Sequence, residues 1–99
     1  MTDGAEARLG ITNCGEELMG VALEPWGRDY WLEPGQSLVV ITTARTGDAQ
    51  PWLGNAGLNR PFDVNYYPNF AAVYCNGGES WVADDDGNVL EIGHQRPPG

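Results

Sequence analysis

Apolar, β-branched and aromatic residues along this chain fall in short segments. Pro, Gly, Asn and Asp punctuate them at intervals of roughly 8–12 residues, the spacing of strands joined by turns. The pattern predicts strands near 8–13, 18–24, 28–33, 37–44, 62–67, 70–75, 80–84 and 88–92. Two segments alternate strictly, as half-buried strands do: Met19, Val21 and Leu23 on one face, and Phe62, Val64 and Tyr66 on another. No stretch carries a helical stripe. The expected fold is all-β, a small antiparallel β-sandwich of about seven to eight strands or a partly closed barrel.

The turns give the sharpest local signals. Glu24-Pro25-Trp26-Gly27 places Pro where a type I turn presets φ and Gly where a hairpin takes its left-handed residue. Glu33-Pro34-Gly35-Gln36 has Pro and Gly at the two central positions of a type II turn. Asn76-Gly77-Gly78 and Asp86-Gly87 read as hairpin loops. The stretch from Arg45 to Pro61 is too long for a hairpin, and loops of that length serve function or cover an open end of a core. Its Trp52 is expected either to plug one end of the sandwich or to stand clear as a contact residue beside Arg45, Asp48 and Arg60.

With 99 residues the chain is sized for one two-layer core. Residues 1–7 are expected to form a disordered leader, 8–93 a single β-sandwich domain, and 94–99 a flexible tail, because Gln95-Arg96-Pro97-Pro98-Gly99 cannot continue a ladder. The first residues show neither a positive n-region nor an apolar h-region, and no apolar run approaches membrane-spanning length. A cytoplasmic protein with reduced Cys14 and Cys75 is the expectation.

Charge narrows the function classes. Fourteen acidic residues oppose five arginines, for a formal net charge of −9. Arg8, Arg28, Arg45, Arg60 and Arg96 are scattered singly, so no basic stripe exists for nucleic acid or for an anionic membrane surface. There is no lysine, which removes Schiff-base chemistry and a P-loop.

Few residues offer chemistry. His94 is the one histidine and the candidate acid–base group, but its place past the last strand, beside a Pro-rich end, favours a solvated or backbone-bonded role. A Cys–His pair with Cys14 or Cys75 competes with the simpler reading of both as inert, hydrophobe-like thiols. Asp84-Asp85-Asp86-Gly87-Asn88 lacks the Gly and Glu spacing of a calcium loop and reads as an acidic turn. One His and two separated Cys supply no metal cluster, and no cofactor is expected.

Four segments carry a resemblance: Asn13 to Glu16, Glu24 to Gly27, Pro34-Gly35, and Gly93 to Pro97. With them the chain resembles short uncharacterised bacterial β-sandwich proteins that share an Asn-x-Gly-Glu strand end, a Glu-Pro-Trp-Gly hairpin, a Pro-Gly turn and a closing Gly-His-x-Arg-Pro. The strand pattern is loosely similar to that of cupredoxin-like domains, whose copper ligands are not present here. The resemblance implies a β-sandwich and a bacterial origin, and brings no activity or site.

The expected function is a non-catalytic, acidic interaction module, with loop aromatics framed by carboxylates as its contact surface and a cationic protein surface as its partner. Candidate contact residues are Trp26, Trp52, Arg45, Asp48 and Arg60. The alternative is a small enzyme or ligand-binding protein using His94 with Glu16, Glu24, Asp29 or Glu91, and a third reading is carbohydrate binding by exposed aromatics.

Overall fold

The structure is a computed structural model, and it describes residues 5–44, 52 and 59–98. Seven strands form two sheets: β1 (Glu6–Thr12), β2 (Met19–Glu24), β3 (Arg28–Leu32), β4 (Ser37–Thr43), β5 (Phe62–Tyr67), β6 (Phe70–Cys75) and β7 (Ser80–Ala83). One sheet has the order β1-β4-β7 and the other β3-β2-β6-β5. This is the small β-sandwich the pattern predicts, with no closed barrel. Among the described residues no helix is long and apolar enough to cross a membrane.

Alternation explains the core. Val21 and Leu23 are fully buried with Met19 packed beside them, and they meet Leu38, Val40 and Val82 from the facing sheet. Each such burial contributes about 1.5–3 kcal/mol. Phe62 and Val64 pack against the same core, whereas Tyr66 on their face is 75 % exposed.

Four expectations need correction. Pairing is antiparallel except between β2 and β6, which run parallel in the register Gly20↔Phe70 to Glu24↔Tyr74. Such a pair needs a long crossover, here by way of β3, β4 and β5. Asn76-Gly77-Gly78 is no hairpin loop: β6 and β7 belong to different sheets, and the segment carries the chain across. Residues 88–92 form no eighth strand, only a bridge from Val89 to Ala83. Within the described residues, parts of the expected leader and tail take regular hydrogen bonds. Glu6 and Ala7 belong to β1, and His94 to Arg96 are held along β3, as described below.

The Pro34-Gly35 turn forms as its residues dictate, whereas Glu24-Pro25-Trp26-Gly27 joins β2 to β3 as expected but is not a type I turn, its Glu24-Pro25 peptide being cis. Gln36 N–H donates to Glu33 O at 3.0 Å and Gly35 has φ +86°, a type II arrangement. At the other reversal Gly27 has φ +72°, and its N–H bonds Leu23 O at 2.9 Å, one residue further back than a type I turn would reach. A Cβ on Gly27 would meet no atom within 4 Å. Gly27→Ala should therefore cost only the left-handed backbone penalty, about 1 kcal/mol. Urea denaturation checks this, and an unchanged midpoint would argue against the left-handed conformation.

Candidate functional site

β3 and β7 are the edge strands of the two sheets on the same side of the sandwich, joined by Arg28 Nη1 reaching Ser80 O at 3.4 Å. The gap between them is closed by residues 88–96, a strap that crosses from one sheet to the other. Leu90 N–H donates to Val82 O at 2.8 Å on the β7 side, while Gly93 N–H donates to Asp29 O at 2.6 Å and Trp31 N–H to His94 O at 2.9 Å on the β3 side. Side chains complete the clamp. The Arg96 guanidinium makes two bonds to the Asp29 carboxylate, at 2.7 and 2.5 Å, and Gln95 Nε2 donates to Trp31 O and Gln36 Oε1. These Arg96 bonds, reinforced by Trp31 Nε1 at 2.8 Å, hold the Asp29 carboxyl far below the usual carboxylate range.

The strap cannot bury all its apolar residues. Leu90 turns inward against the core, leaving Val89 67 % and Ile92 56 % exposed. Beside them lies an open groove of about 500 Å³, lined by Arg28, Tyr30, Trp81, Leu90 and Glu91 together with Val89 and Ile92. Arg28 and Tyr30 stand two apart on β3 and so share a face. Trp26, outside the groove lining, is 42 % exposed and carries the Arg28 guanidinium 5.0 Å from its ring centroid, a cation–π contact worth about 0.5–1 kcal/mol at an exposed site.

The strap also borders a second groove, of about 380 Å³, where His94 meets Asp84, Asp85 and Asp86. Glu16, Glu24, Asp29 and Glu91, the carboxylates expected to work with His94, do not line it. Asp29 is engaged by Arg96 and Trp31. Asp84 is engaged too: its carboxylate accepts the N–H groups of Asp86 and Asn88 and the Asn88 amide. These bonds, the backbone N–H of Asn88 first, lower its pKa and make it the anchor of the acidic turn. His94 itself is backbone-bonded, its N–H donating to Glu91 O at 3.0 Å. Among the described residues no three His, Cys, Asp or Glu side chains gather as a metal ion would require. Cys75 is buried, which pushes its thiol up to about 11, and Cys14 is exposed; both are free. Neither borders the His94 groove.

Of the expected contact residues, Trp26 touches the groove residue Arg28 but does not itself line the first groove. Arg60 pairs with Asp63 at the start of β5, the opposite edge strand from β3. Trp52 is half-buried, and its N–H donates to Asn59 Oδ1 at 3.2 Å. Arg45 and Asp48 lie outside the described residues. The groove residues that pattern alone misses are Arg28, Tyr30, Trp81, Val89 and Ile92. One signal was present: Val89, Leu90 and Ile92 place apolar residues on both faces of one short segment, and a single core can cover only one of those faces.

Comparison with protein families, with curated proteins and with solved structures gives no match.

Proposed function

We propose that the chain is a non-catalytic interaction module that binds another protein through the groove between β3, β7 and the strap. The observation that carries this reading is the exposure of two aliphatic side chains, Val89 and Ile92, in one groove with Trp81, Tyr30 and Arg28. Exposed apolar surface of this kind, set with Trp, Tyr and Arg, is the composition of binding hot spots. The net charge of −9 favours a partner whose flanking surface is cationic, with an association rate that falls as salt rises. His94 has less support as an acid–base group, since among the described residues no carboxylate accepts a hydrogen bond from it and the Ser37 hydroxyl in its groove is bonded to Thr12. The two free thiols fit a reducing compartment such as the cytoplasm.

A photo-crosslinking residue at position 92, introduced in cells of the source organism, should yield a discrete protein adduct, and the same residue at position 8 on β1 should not. Val89→Asp should abolish the adduct while shifting stability by no more than about 0.5 kcal/mol, as exposed substitutions do. Equal adducts at positions 8 and 92, or none at either, would overturn the reading.

A further inference from the structure

Arg28 differs from the other described arginines. Arg8, Arg60 and Arg96 each face a carboxylate, on Glu6, Asp63 and Asp29. Arg28 rests on the Trp26 ring and reaches a carbonyl with one of its five N–H donors. Tyr30 is 2 % exposed yet lines the groove, and no described residue hydrogen-bonds its hydroxyl. Burial raises the phenol's pKa, so it remains an O–H donor at neutral pH. Arg28 and Tyr30 both line the groove. Two donors thus stand side by side on one face of β3, against apolar walls of Trp81, Val89 and Ile92.

Such a site suits a carboxylate borne directly on an apolar body. We infer that the groove takes the free carboxyl terminus of a partner chain ending in an apolar residue. The carboxylate meets Arg28 and Tyr30, and the last side chain lies against Trp81, Val89 and Ile92. This inference rests on the reading of the groove as a protein-binding site. A chain terminus carries charge and side chain on the same Cα, which the adjacency of donors and apolar wall demands. A planar guanidinium held by stacking also suits two-point carboxylate recognition. The groove's size falls among small binding pockets. The acidic net charge does not forbid an anion here, because screening at physiological salt acts over about 8 Å and Arg28 works at contact. Glu91, on the same groove, instead selects a basic residue upstream of the terminus.

The test is fluorescence polarisation with N-labelled pentapeptides beginning Lys-Lys-Ser, the last two positions pooled over Phe, Leu, Ile and Val, as free acids and as carboxamides. The free acids should bind saturably and the amides about tenfold more weakly. Arg28→Gln and Tyr30→Phe should each erase that preference, and Ile92→Asp should weaken both pools. Equal binding of acid and amide that Ile92→Asp still weakens would overturn the carboxylate inference and leave the protein-binding reading standing. No saturable binding by either pool, or binding indifferent to Ile92→Asp, would overturn both.

Discussion

Gly77→Ala is expected to lower stability by about 3 kcal/mol, a fall of roughly 12–24 °C in melting temperature for a domain of this size. A Cβ at this position would lie 2.1 Å from Thr43 O and 2.4 Å from Thr42 Oγ1. Neither neighbour can retreat cheaply. Thr43 O accepts the N–H of Gly78 at 2.7 Å, Thr43 N–H donates to Glu79 O at 2.9 Å, and the fully buried Thr42 hydroxyl bonds Glu79 O and Ser80 Oγ. Moving the crossover outward would break this lattice and leave a buried hydroxyl unpaired, a penalty of about 1–3 kcal/mol by itself. Gly10 is the control, because a Cβ there meets nothing within 4 Å. Gly10→Ala should leave stability unchanged or raise it slightly. If the two variants melt together, the close approach at Gly77 is not what joins the sheets.

Gly77 also shows where sequence reading stops. Asn-Gly-Gly has the composition of a hairpin, and composition alone does not separate a reversal within one sheet from a crossover between two. The same limit hides the β2–β6 pairing: alternation in Met19, Val21 and Leu23 tells which face is buried, and says nothing of which strand lies alongside. The turns at Gly27 and Gly35 were legible because positive φ is a local demand that Gly meets cheaply.

The strap was illegible for the opposite reason. Gln95-Arg96-Pro97-Pro98 reads as a tail, and its order comes from partners such as Asp29 and Trp31 more than sixty positions away. Aromatics were legible as a group only. Trp31 closes over Gly20 with Phe70, where a Cβ would meet either ring at 2.8 Å, so it covers the outer face of its sheet. Trp81 lines the groove, and Trp26 meets it only through Arg28. The four resembling segments prove to have structural tasks. Asn13, 3 % exposed, ties its loop to Leu32 O and Glu17 O, and Gly93 to Arg96 close the strap. Such motifs describe the scaffold, while the candidate site rests on Arg28, Tyr30, Val89 and Ile92 between them.

Deleting residues 89–99 is expected to have the largest effect of all, because it removes three kinds of stabilisation together. Leu90 would leave the core, at about 1.5–3 kcal/mol. The Asp29–Arg96 pair would go, a small loss for an ion pair this exposed. The backbone groups of β3 and β7 would lose the bridges to His94 and Val89. Against a total stability of about 5–15 kcal/mol, the truncated chain should melt tens of degrees lower or fail to fold, and any folded fraction should self-associate through the two newly open edges. Size-exclusion chromatography over a concentration series reads the second effect apart from the first. Arg96→Met isolates the latch. Asp29 has its pKa lowered in the folded state by Arg96 and then by Trp31, so its contribution is present at neutral pH. That contribution starts to be lost as pH falls below about 4, the unfolded value, and is gone only below the folded one. Arg96→Met should lower stability at pH 7 and flatten the acid limb of the stability curve, with little further difference from wild type once Asp29 is protonated in both. An acid limb equally steep in the variant would mean that the latch contributes nothing, and a truncated chain that melts like the full one would mean the same of the whole strap.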